Sequence, residues 1–218
     1  PLLDCGVKVI DMSADFRLRD AGEYQRWYGF THPASHLLAQ AVYGIPELKR
    51  TMIAGARLIA NPGCYPTCSI LALAPAVKAG IIEPDIVIDA KSGVSGAGRS
   101  LKLGSLFSEA DEDVAAYSLD GHRHLPEMVQ ELGALYSGSM LKVTFVPHLI
   151  PMTRGMLSAC YATLIPDKLP GNDLKQEIRR IYEAFYAGEP FVRVVDAPPH
   201  TKHTQGSNCC HIYPTYDP

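Results

Sequence analysis

The clearest candidate for chemistry is a cysteine at the predicted start of a helix. Cys64 lies in the stretch Asn-Pro-Gly-Cys-Tyr-Pro-Thr at 61–67, after an apolar run at 56–60 that favours a strand. A helical pattern follows from Cys68. Unpaired N–H groups and the positive end of the helix dipole favour an anion there, so a thiol in this place is biased towards the reactive thiolate. A small buried thiol at a turn is the plain alternative.

A segment rich in glycine and serine is the second candidate. Residues 92–99 read Ser-Gly-Val-Ser-Gly-Ala-Gly-Arg and follow a predicted strand at 86–90. Such a segment lets backbone N–H groups approach a phosphate or a flat ring closely. It lacks the Lys-Ser/Thr pair of a nucleotide-triphosphate loop, and a flexible connector explains it equally well. Arg99 at its end suits a phosphate or a carboxylate.

Two histidines that flank an arginine form the third candidate. His122, Arg123 and His124 stand directly before a predicted helix in which Pro126 takes the first position. A surface pair and a metal-binding pair are the competing interpretations. The remaining His and Cys residues do not make a recognised ligand set, so no metal site is predicted. An acid–base partner for Cys64 fits the pattern better, because Cys/His pairs meet in space and not in sequence.

Single polar residues elsewhere carry weaker signals. Arg154 lies between two predicted strands and is a candidate anion ligand, although an ordinary solvated arginine is the better interpretation of any lone Arg. The same holds for Arg17 and Arg19. Asn208 is suited to bind a carboxamide or simply to hold a turn.

Periodicity predicts short α/β units that give way, between Cys64 and Gly80, to a strand-rich α+β half. Gly80 is expected to cap the helix that follows Cys64, and Pro75 to kink or split it. The segments 31–44 and 45–48 read as weakly patterned chain and loop. The predicted strands are 7–12, 56–60, 86–90, 141–146, 156–164 and 191–195, and the predicted helices are 64–80, 126–135 and 174–187. Residues 23–30 read as a short helix or a turn. In the last helix we expect Asn172 as N-cap and a buried stripe of Leu174, Ile178, Tyr182 and Phe185.

Composition limits the class of protein. The chain has 218 residues, 47% of them hydrophobic, and a net charge of -3. It has no basic stripe or nucleic-acid motif and no apolar run of membrane-spanning length, so neither a nucleic-acid nor a membrane partner is predicted. Six scattered cysteines favour reduced thiols in a cytoplasmic enzyme. The first residue is not Met and the chain stops after strand-like sequence, so we expect a fragment.

Taken together and in this order, the motifs resemble the N-acetyl-gamma-glutamyl-phosphate reductase family of arginine biosynthesis. The match is collinear over nearly the whole chain, and the Cys64 and His122 motifs are specific in combination. The segments that carry the resemblance are 9–17, 28–30, 43–47, 61–67, 92–99, 122–127, 147–149 and 154–155.

The resemblance implies an acyl-phosphate reductase of the aspartate-semialdehyde dehydrogenase-like superfamily, with NADP(H) as cofactor. Residues 1–64 would be the α/β C-terminal part of a dinucleotide-binding domain. Residues 65–218 would be an α+β catalytic and dimerisation domain of the glyceraldehyde-3-phosphate dehydrogenase C-terminal type. Its sheet would be mixed and largely antiparallel, with helices on one face. A small-molecule acyl phosphate is the implied substrate, and a homo-oligomer, dimer or tetramer, is the implied assembly.

The family's functional residues carry over to matching positions. Cys64 matches the nucleophile, whose thiolate attacks the acyl phosphate, expels phosphate and forms a thioester. The base is His122, with His124 as the alternative, and a pKa in the neutral range suits this role. Implied anchors for the substrate's phosphate and carboxylate are Arg99, Arg123 and Arg154. Implied contacts to the cofactor are Ser92, Gly93, Gly96, Ala97 and Gly98, with Asn208 facing the nicotinamide.

Compared with the family pattern, we expect the chain to lack the opening Gly-rich turn and the closing helix, and His211 stands where an acidic residue is common. Two other functions stay open. One is the sibling reductase of lysine biosynthesis, which acts on a carrier-linked aminoadipyl phosphate. The other is a non-catalytic fragment that binds substrate or forms a dimer. A cysteine hydrolase is disfavoured by the Gly-rich segment.

Overall fold

The structure, a computed structural model, describes residues 2–138, 140–171 and 173–217. It combines a small parallel sheet near the start of the chain with a larger mixed sheet and a two-stranded pair. The helices and strands, in chain order, are β1 (Val9–Asp11), α1 (Ala21–Tyr28), β2 (Ala41–Tyr43), α2 (Pro46–Gly55), β3 (Leu58–Ala60), α3 (Cys64–Ala79), β4 (Ile82–Gly93), α4 (Phe107–Ala110), β5 (Ala115–Ala116), α5 (Leu125–Gly133), β6 (Lys142–Ile150), β7 (Met156–Leu164), α6 (Leu174–Phe185), β8 (Val192–Val194) and β9 (Cys210–Ile212).

The first sheet is parallel and has the strand order β1-β3-β2. Leu58 of the central strand β3 pairs with Val9 on one side and Ala41 on the other. All three residues of β3 are buried, as expected of a central strand in a covered parallel sheet. Strands and helices alternate here, which agrees with the predicted α/β character of this part of the chain.

The second sheet has the order β5-β6-β4-β7, with β4 parallel to β6 and antiparallel to β7. The remaining pair, β5 with β6, is antiparallel, so the predicted mixed and largely antiparallel sheet is confirmed. Along β4, Ile86, Ile88 and Ala90 are buried, whereas Val87 between them is exposed. One face of the sheet therefore packs on the helices, and the other face is open.

The helix that begins at Cys64 forms the centre of the core. Ten of its sixteen residues are buried, so α3 is apolar nearly all round and not amphipathic. Its last carbonyls are capped by Gly80, whose φ of 65° is the left-handed conformation that favours glycine, as predicted. None of the helices in the described ranges is long and apolar enough to cross a membrane.

Pro75 was predicted to kink or split this helix, and the split does not occur, because α3 runs from Cys64 to Ala79 without a break. A proline has no N–H to donate to the carbonyl four residues earlier, which here belongs to Leu71. The hydroxyl of Tyr186, in the turn after α6, donates to Leu71 O at 2.5 Å and replaces the missing donor. The neighbouring Tyr182 hydroxyl donates to Ala72 O at 2.8 Å. Two tyrosines associated with α6 thus stabilise α3 at its proline.

Several predicted boundaries differ from the structure. Strand β2 lies in the segment 31–44, which had no clear pattern, and α2 begins at Pro46 in a segment read as a loop. Proline is favoured in the first helical turn, where its missing N–H is not needed. The strand predicted at 86–90 runs from Ile82 to Gly93, so Ser92 and Gly93 belong to β4 and not to a loop. Likewise β6 continues to Ile150, past its predicted end.

The helix α6 carries the predicted buried stripe. Ile178 and Tyr182 are buried, and Leu174 and Phe185 pack against the same core. Its N-cap is Asp173, whose carboxylate accepts a hydrogen bond from Gln176 N at 3.0 Å. The predicted N-cap, Asn172, lies outside the described residues.

Replacement of Tyr186 by Phe tests how α3 tolerates its proline. The Tyr186→Phe variant leaves the buried Leu71 carbonyl without a donor, which should lower the free energy of unfolding by about 1–3 kcal/mol. Tyr182→Phe is the matched control, because Ala72 O keeps a helical donor, and it should cost about 0.5–1.5 kcal/mol. Urea denaturation of both variants measures the difference, and equal costs would contradict the proposed compensation.

Candidate active site

The fold places Cys64 between the last strand of the first sheet and the central helix α3. Strand β3 ends at Ala60, the chain turns through 61–63, and Cys64 is the first residue of α3. Gly63 is the N-cap and has no side chain that could accept a hydrogen bond from the N–H groups of the first turn. No capping side chain therefore competes with the cysteine sulfur for these N–H groups. The predicted helix start at the cysteine is confirmed.

The electrostatics of this thiol differ from the expectation. Burial raises the pKa of the Cys64 thiol, although the residue as a whole is exposed. Hydrogen bonds from the N–H groups of Tyr65 and Cys64 and the charge of Arg17 lower the pKa, but by less than burial raises it. The predicted bias towards thiolate was therefore wrong for this conformation. A thiol that is protonated at neutral pH needs a proton acceptor nearby.

Both candidate histidines pack against the neighbours of Cys64 in the chain. The rings of His122 and His124 pack edge-on against Tyr65, with centroid separations of 5.7 and 6.0 Å. On the other side of the cysteine, a Cβ atom added at Gly63 would lie only 2.7 Å from His124 Nε2. The structure thus brings together the cysteine and histidine motifs, which are far apart in sequence.

Both imidazoles are neutral at pH 7. Burial lowers the pKa of His122 to about 4, helped by the charge of Arg123. Burial also lowers the pKa of His124 to about 3, with further contributions from His122, Arg17 and Arg123. The neutral-range pKa expected for His122 was therefore wrong. A neutral ring can accept a proton, and an anionic group bound beside it would raise its pKa.

Sequence reasoning missed Glu127, which is fully buried beneath the cysteine turn. Its Oε2 atom accepts hydrogen bonds from Gly63 N at 3.0 Å and from the Tyr43 hydroxyl at 2.7 Å. Its Oε1 atom pairs with Arg17 Nη1 at 3.3 Å. The side chain of Arg17 is 11% exposed, so its interpretation as a solvated arginine was wrong. Arg19 is 54% exposed but pairs with the buried Glu131.

Tyr65 and Tyr117 were also missed. Tyr117 donates its hydroxyl hydrogen to Tyr65 Oη at 3.0 Å, and Tyr65 donates to His148 O at 3.2 Å. Burial raises the pKa of both phenols, which keeps them neutral donors. The aromatic residue beside the cysteine was the available signal in the sequence.

The three candidate anion-binding arginines are all exposed. The guanidinium of Arg123 lies over the ring of Tyr28, 5.5 Å from its centroid. Arg154 belongs to the turn between β6 and β7, and backbone hydrogen bonds tie this turn to the Gly-rich segment that ends at Arg99: Val94 N donates to Met152 O at 2.9 Å, and Ser95 N donates to Thr153 O at 3.1 Å.

The implied cofactor contacts fall into two groups. Ser92 and Gly93 are buried, and a Cβ at Gly93 would meet Met152 O at 2.8 Å, so that glycine serves close packing within the chain. Gly96 and Gly98 are exposed, and Ala97 between them is half-buried.

A large open groove connects two of the predicted site residues. Its volume is about 1570 Å³, and both Cys64 and Asn208 line it. Asn208 is exposed and borders the same groove as the cysteine. Among the residues of 2–138, 140–171 and 173–217, no group of three His, Cys, Asp or Glu side chains is arranged to hold a metal ion.

Comparison with known proteins identifies the relatives of this chain. Residues 64–218 match the family model described as semialdehyde dehydrogenase, dimerisation domain. The N-acetyl-gamma-glutamyl-phosphate reductase of Dehalococcoides mccartyi (strain CBDB1) is 58% identical over 216 residues, which cover 99% of this chain and 62% of that protein. The enzyme of the same name from Moorella thermoacetica is 53% identical, over 95% of this chain and 59% of that protein. The chain thus spans about three fifths of the length of these relatives.

Among solved structures, aspartate semialdehyde dehydrogenase II from Vibrio cholerae is similar over 94% of this chain and 61% of that one, with a TM-score of 0.63 and 17% identity. At this identity the likeness concerns the fold alone. The predicted fold class and the family resemblance are confirmed by these comparisons.

The depressed pKa of His124 predicts a pH-dependent stability. The folded-state pKa of about 3 lies below the ordinary 6.5, so the unfolded chain takes up a proton first as the pH falls. Relative to His124→Asn, the wild type should lose stability below about pH 6.5, by up to ~1.4 kcal/mol per pH unit. Urea denaturation at a series of pH values measures this slope.

The control for the pH series is His36→Asn, because His36 is exposed. A stability difference between wild type and His124→Asn that does not change with pH would contradict the burial of this imidazole as a neutral group.

Proposed function

Because the chain belongs to the semialdehyde dehydrogenase dimerisation-domain family, we propose that it is the catalytic part of an enzyme that reduces an acyl phosphate to an aldehyde. The substrate is N-acetyl-gamma-glutamyl phosphate, and the products are N-acetylglutamate semialdehyde and phosphate. The names of relatives that are more than half identical over nearly the whole chain support this choice. The reaction takes place in the cytoplasm, where the six free cysteines would stay reduced.

The observation that carries the proposal is the position of Cys64. Its thiol stands at the start of a buried helix, with two neutral imidazoles packed on the residues before and after it. A nucleophile with a proton acceptor at hand is the arrangement that acyl transfer requires. His122 is the base in this proposal, with His124 as the alternative.

The chemistry follows from these groups. The imidazole accepts the thiol proton, and the Cys64 sulfur attacks the carbonyl carbon of the acyl phosphate. Collapse of the tetrahedral intermediate breaks the bond to the phosphate oxygen and leaves a thioester on Cys64. A reduced nicotinamide nucleotide, when bound, supplies the hydride that takes the acyl group to the aldehyde level. Departure of the aldehyde returns the electron pair to sulfur, and the protonated imidazole restores the thiol.

Several exposed groups have the chemistry to bind the substrate and the cofactor. Arg99, Arg123 and Arg154 offer cations to the substrate's phosphate and carboxylate. NADP(H) is the proposed cofactor. Its carboxamide end fits Asn208, which lines the same groove as Cys64, and the backbone of 96–98 is open to it. We also propose cofactor contacts from Ser92 and Gly93, which require the segment 92–99 to open, since both residues are buried here.

The proposal includes a division of the chain into two domains. Residues 1–64 belong to the dinucleotide-binding domain, and residues 65–218 form the catalytic and dimerisation domain.

We further propose that the open face of the second sheet pairs with a second copy of the chain. This face lies within the part that matches a dimerisation domain. It exposes Val87, Leu157 and Tyr161 on neighbouring strands, where Val87 pairs with Tyr161. At its centre, Asp89 accepts from Lys91 and lies 3.1 Å from His148 Nδ1. An exposed apolar sheet face is typical of an interface between subunits, and the charge of Asp89 within it is balanced by Lys91.

Replacement of the cysteine tests the reaction. In the full-length protein, Cys64→Ser should lower the rate of aldehyde formation from N-acetyl-gamma-glutamyl phosphate by at least about 10³-fold, because a hydroxyl is a far weaker nucleophile in this place. Cys5→Ser, at another exposed cysteine, should keep full activity. Mass spectrometry of the enzyme mixed with substrate alone should find the acyl group on Cys64.

Two results would overturn this proposal: substantial turnover by Cys64→Ser, or faster turnover of a carrier-linked aminoadipyl phosphate than of the N-acetylglutamyl substrate. The second result would assign the chain to the sibling pathway.

A charge on the open sheet face tests the subunit interface. Tyr161→Asp places two like charges in a two-fold interface, so the dimer dissociation constant should rise by about 30-fold or more. Met52→Asp is the matched control, since Met52 on α2 is equally exposed, 59% in each case. Sedimentation equilibrium measures both variants, and an unchanged dimer in Tyr161→Asp would refute this choice of face.

A further inference from the structure

A buried carboxylate that the proposed reaction does not use holds the turn before the nucleophile. Glu127 is 0% exposed, and its two oxygens serve different partners. One accepts from the backbone N–H of Gly63, the residue directly before Cys64. The other pairs with Arg17, which comes from the N-terminal part of the chain. Transfer of such a carboxylate from water is costly unless it is paired and hydrogen-bonded, as it is here.

Arg17 also binds the turn directly, at the residue before Pro62. Arg17 Nε donates to Asn61 O at 2.7 Å, while Nη1 reaches Glu127. The backbone oxygen before Pro62 and the backbone nitrogen after it are thus held by one ion pair. Arg17 and Glu127 together are called the turn clamp below.

There is little free space at the clamped turn. A Cβ atom at Gly63 would lie 2.7 Å from His124 Nε2 and 3.0 Å from Glu127 Oε1. The imidazole of His124 and the carboxylate of Glu127 therefore both lie close to Gly63. A displacement of the turn would move Cys64 and the histidine relative to each other.

We propose that Glu127 is a positioning residue, which acts through the turn clamp to fix the sulfur of Cys64 against its acid–base partner. The inference rests on the proposed function, in which these two groups exchange a proton. Proton transfer and nucleophilic attack both depend steeply on the separation of the reacting atoms. The clamp keeps this separation constant, because it joins the turn before Cys64 to α5, the helix that follows His124.

The next turn of the same helix offers a control for a purely structural role. Glu131 is 2% exposed and also pairs with cations from the N-terminal part of the chain, Arg19 and Lys49. The contacts described for its carboxylate do not include the cysteine turn. Glu127 and Glu131 thus share burial, charge, helix and the kind of partner, and they differ in what they hold.

The experiment compares Glu127→Gln with Glu131→Gln in the full-length protein. Glu127→Gln should lower kcat by about 10- to 100-fold with little change in KM, since the turn and not the substrate site is loosened. Glu131→Gln should keep kcat within about twofold of the wild type, even if its thermal unfolding midpoint falls as much as that of Glu127→Gln. Equal losses of kcat in the two variants would overturn the proposal.

The pH dependence of Cys64 alkylation by iodoacetamide is a second readout that needs no turnover. The charged and titratable groups that act on this thiol are Arg17, Glu127, Tyr65, Tyr117 and Cys68. The imidazoles of His122 and His124, which pack on its neighbours, are neutral in the folded protein at pH 7. Glu127→Gln removes the negative charge that raises the pKa of Cys64 and leaves the positive charge of Arg17, which lowers it. The pH midpoint of alkylation should therefore move to lower pH. Glu131→Gln should not move it. If the wild type does not reduce the acyl phosphate, the proposed function fails, while the alkylation profile still tests the clamp.

Arg17→Lys covers the case in which Glu127→Gln does not fold. A lysine keeps the charge but cannot donate to Asn61 O and Glu127 in the fork geometry of a guanidinium. It should lower kcat in the same direction, by a smaller factor, and leave the alkylation midpoint in place. Full activity of Arg17→Lys would refute the clamp.

Discussion

The burial of α3 sets the backbone position of Cys64, and the rest of the candidate site is arranged around that fixed point. The helix packs on β4 and β7 of the mixed sheet and is covered by α5 and α6. Its buried residues are spread around its whole circumference, so the helix has no free face on which to rotate or slide. Because Cys64 is its first residue, the close packing of the core fixes the backbone of the proposed nucleophile. The groups that approach the thiol, in contrast, come from loops and from α5.

Polar contacts connect the N-terminal part of the chain to this core. The face of α5 that points towards the first sheet carries Glu127, Gln130 and Glu131, and each contacts a residue from the range 17–49. Buried ion pairs contribute little net stability, because their attraction is offset by lost hydration. They do disfavour other relative placements of the two parts, because a shift would leave a buried carboxylate without its cation. A specific placement is what a site assembled from both parts requires.

The sequence was most informative where a pattern is long or a motif is local. The helix after Cys64, its cap at Gly80 and the stripe of α6 follow from periodicity and cap chemistry, whereas the three-residue β2 has no period to detect. Pro46 was misread because Ile-Pro-Glu is equally typical of a loop and of a helix start. Pro75 was misread because its compensation comes from Tyr186, far along the chain. The motifs identified Cys64, His122 and His124 as candidates, but not the direction of their pKa shifts. Those directions depend on burial, which no local pattern reports. Glu127 was missed for the same reason, since an acidic residue in the first turn of a helix is ordinarily a solvated one.

The pairing of β4 has a consequence for how the chain reaches this fold. Both neighbours of β4 follow it at a distance: Ile88 pairs with Phe145 on one side and with Cys160 on the other. Non-local pairing of this kind slows folding, because loop closure must precede the contacts that reward it. During synthesis α3 and β4 leave the ribosome well before β6 and β7 exist to cover them. The apolar helix α3, which begins at the proposed nucleophile, then stays without its sheet partner β7 until most of the chain has been made.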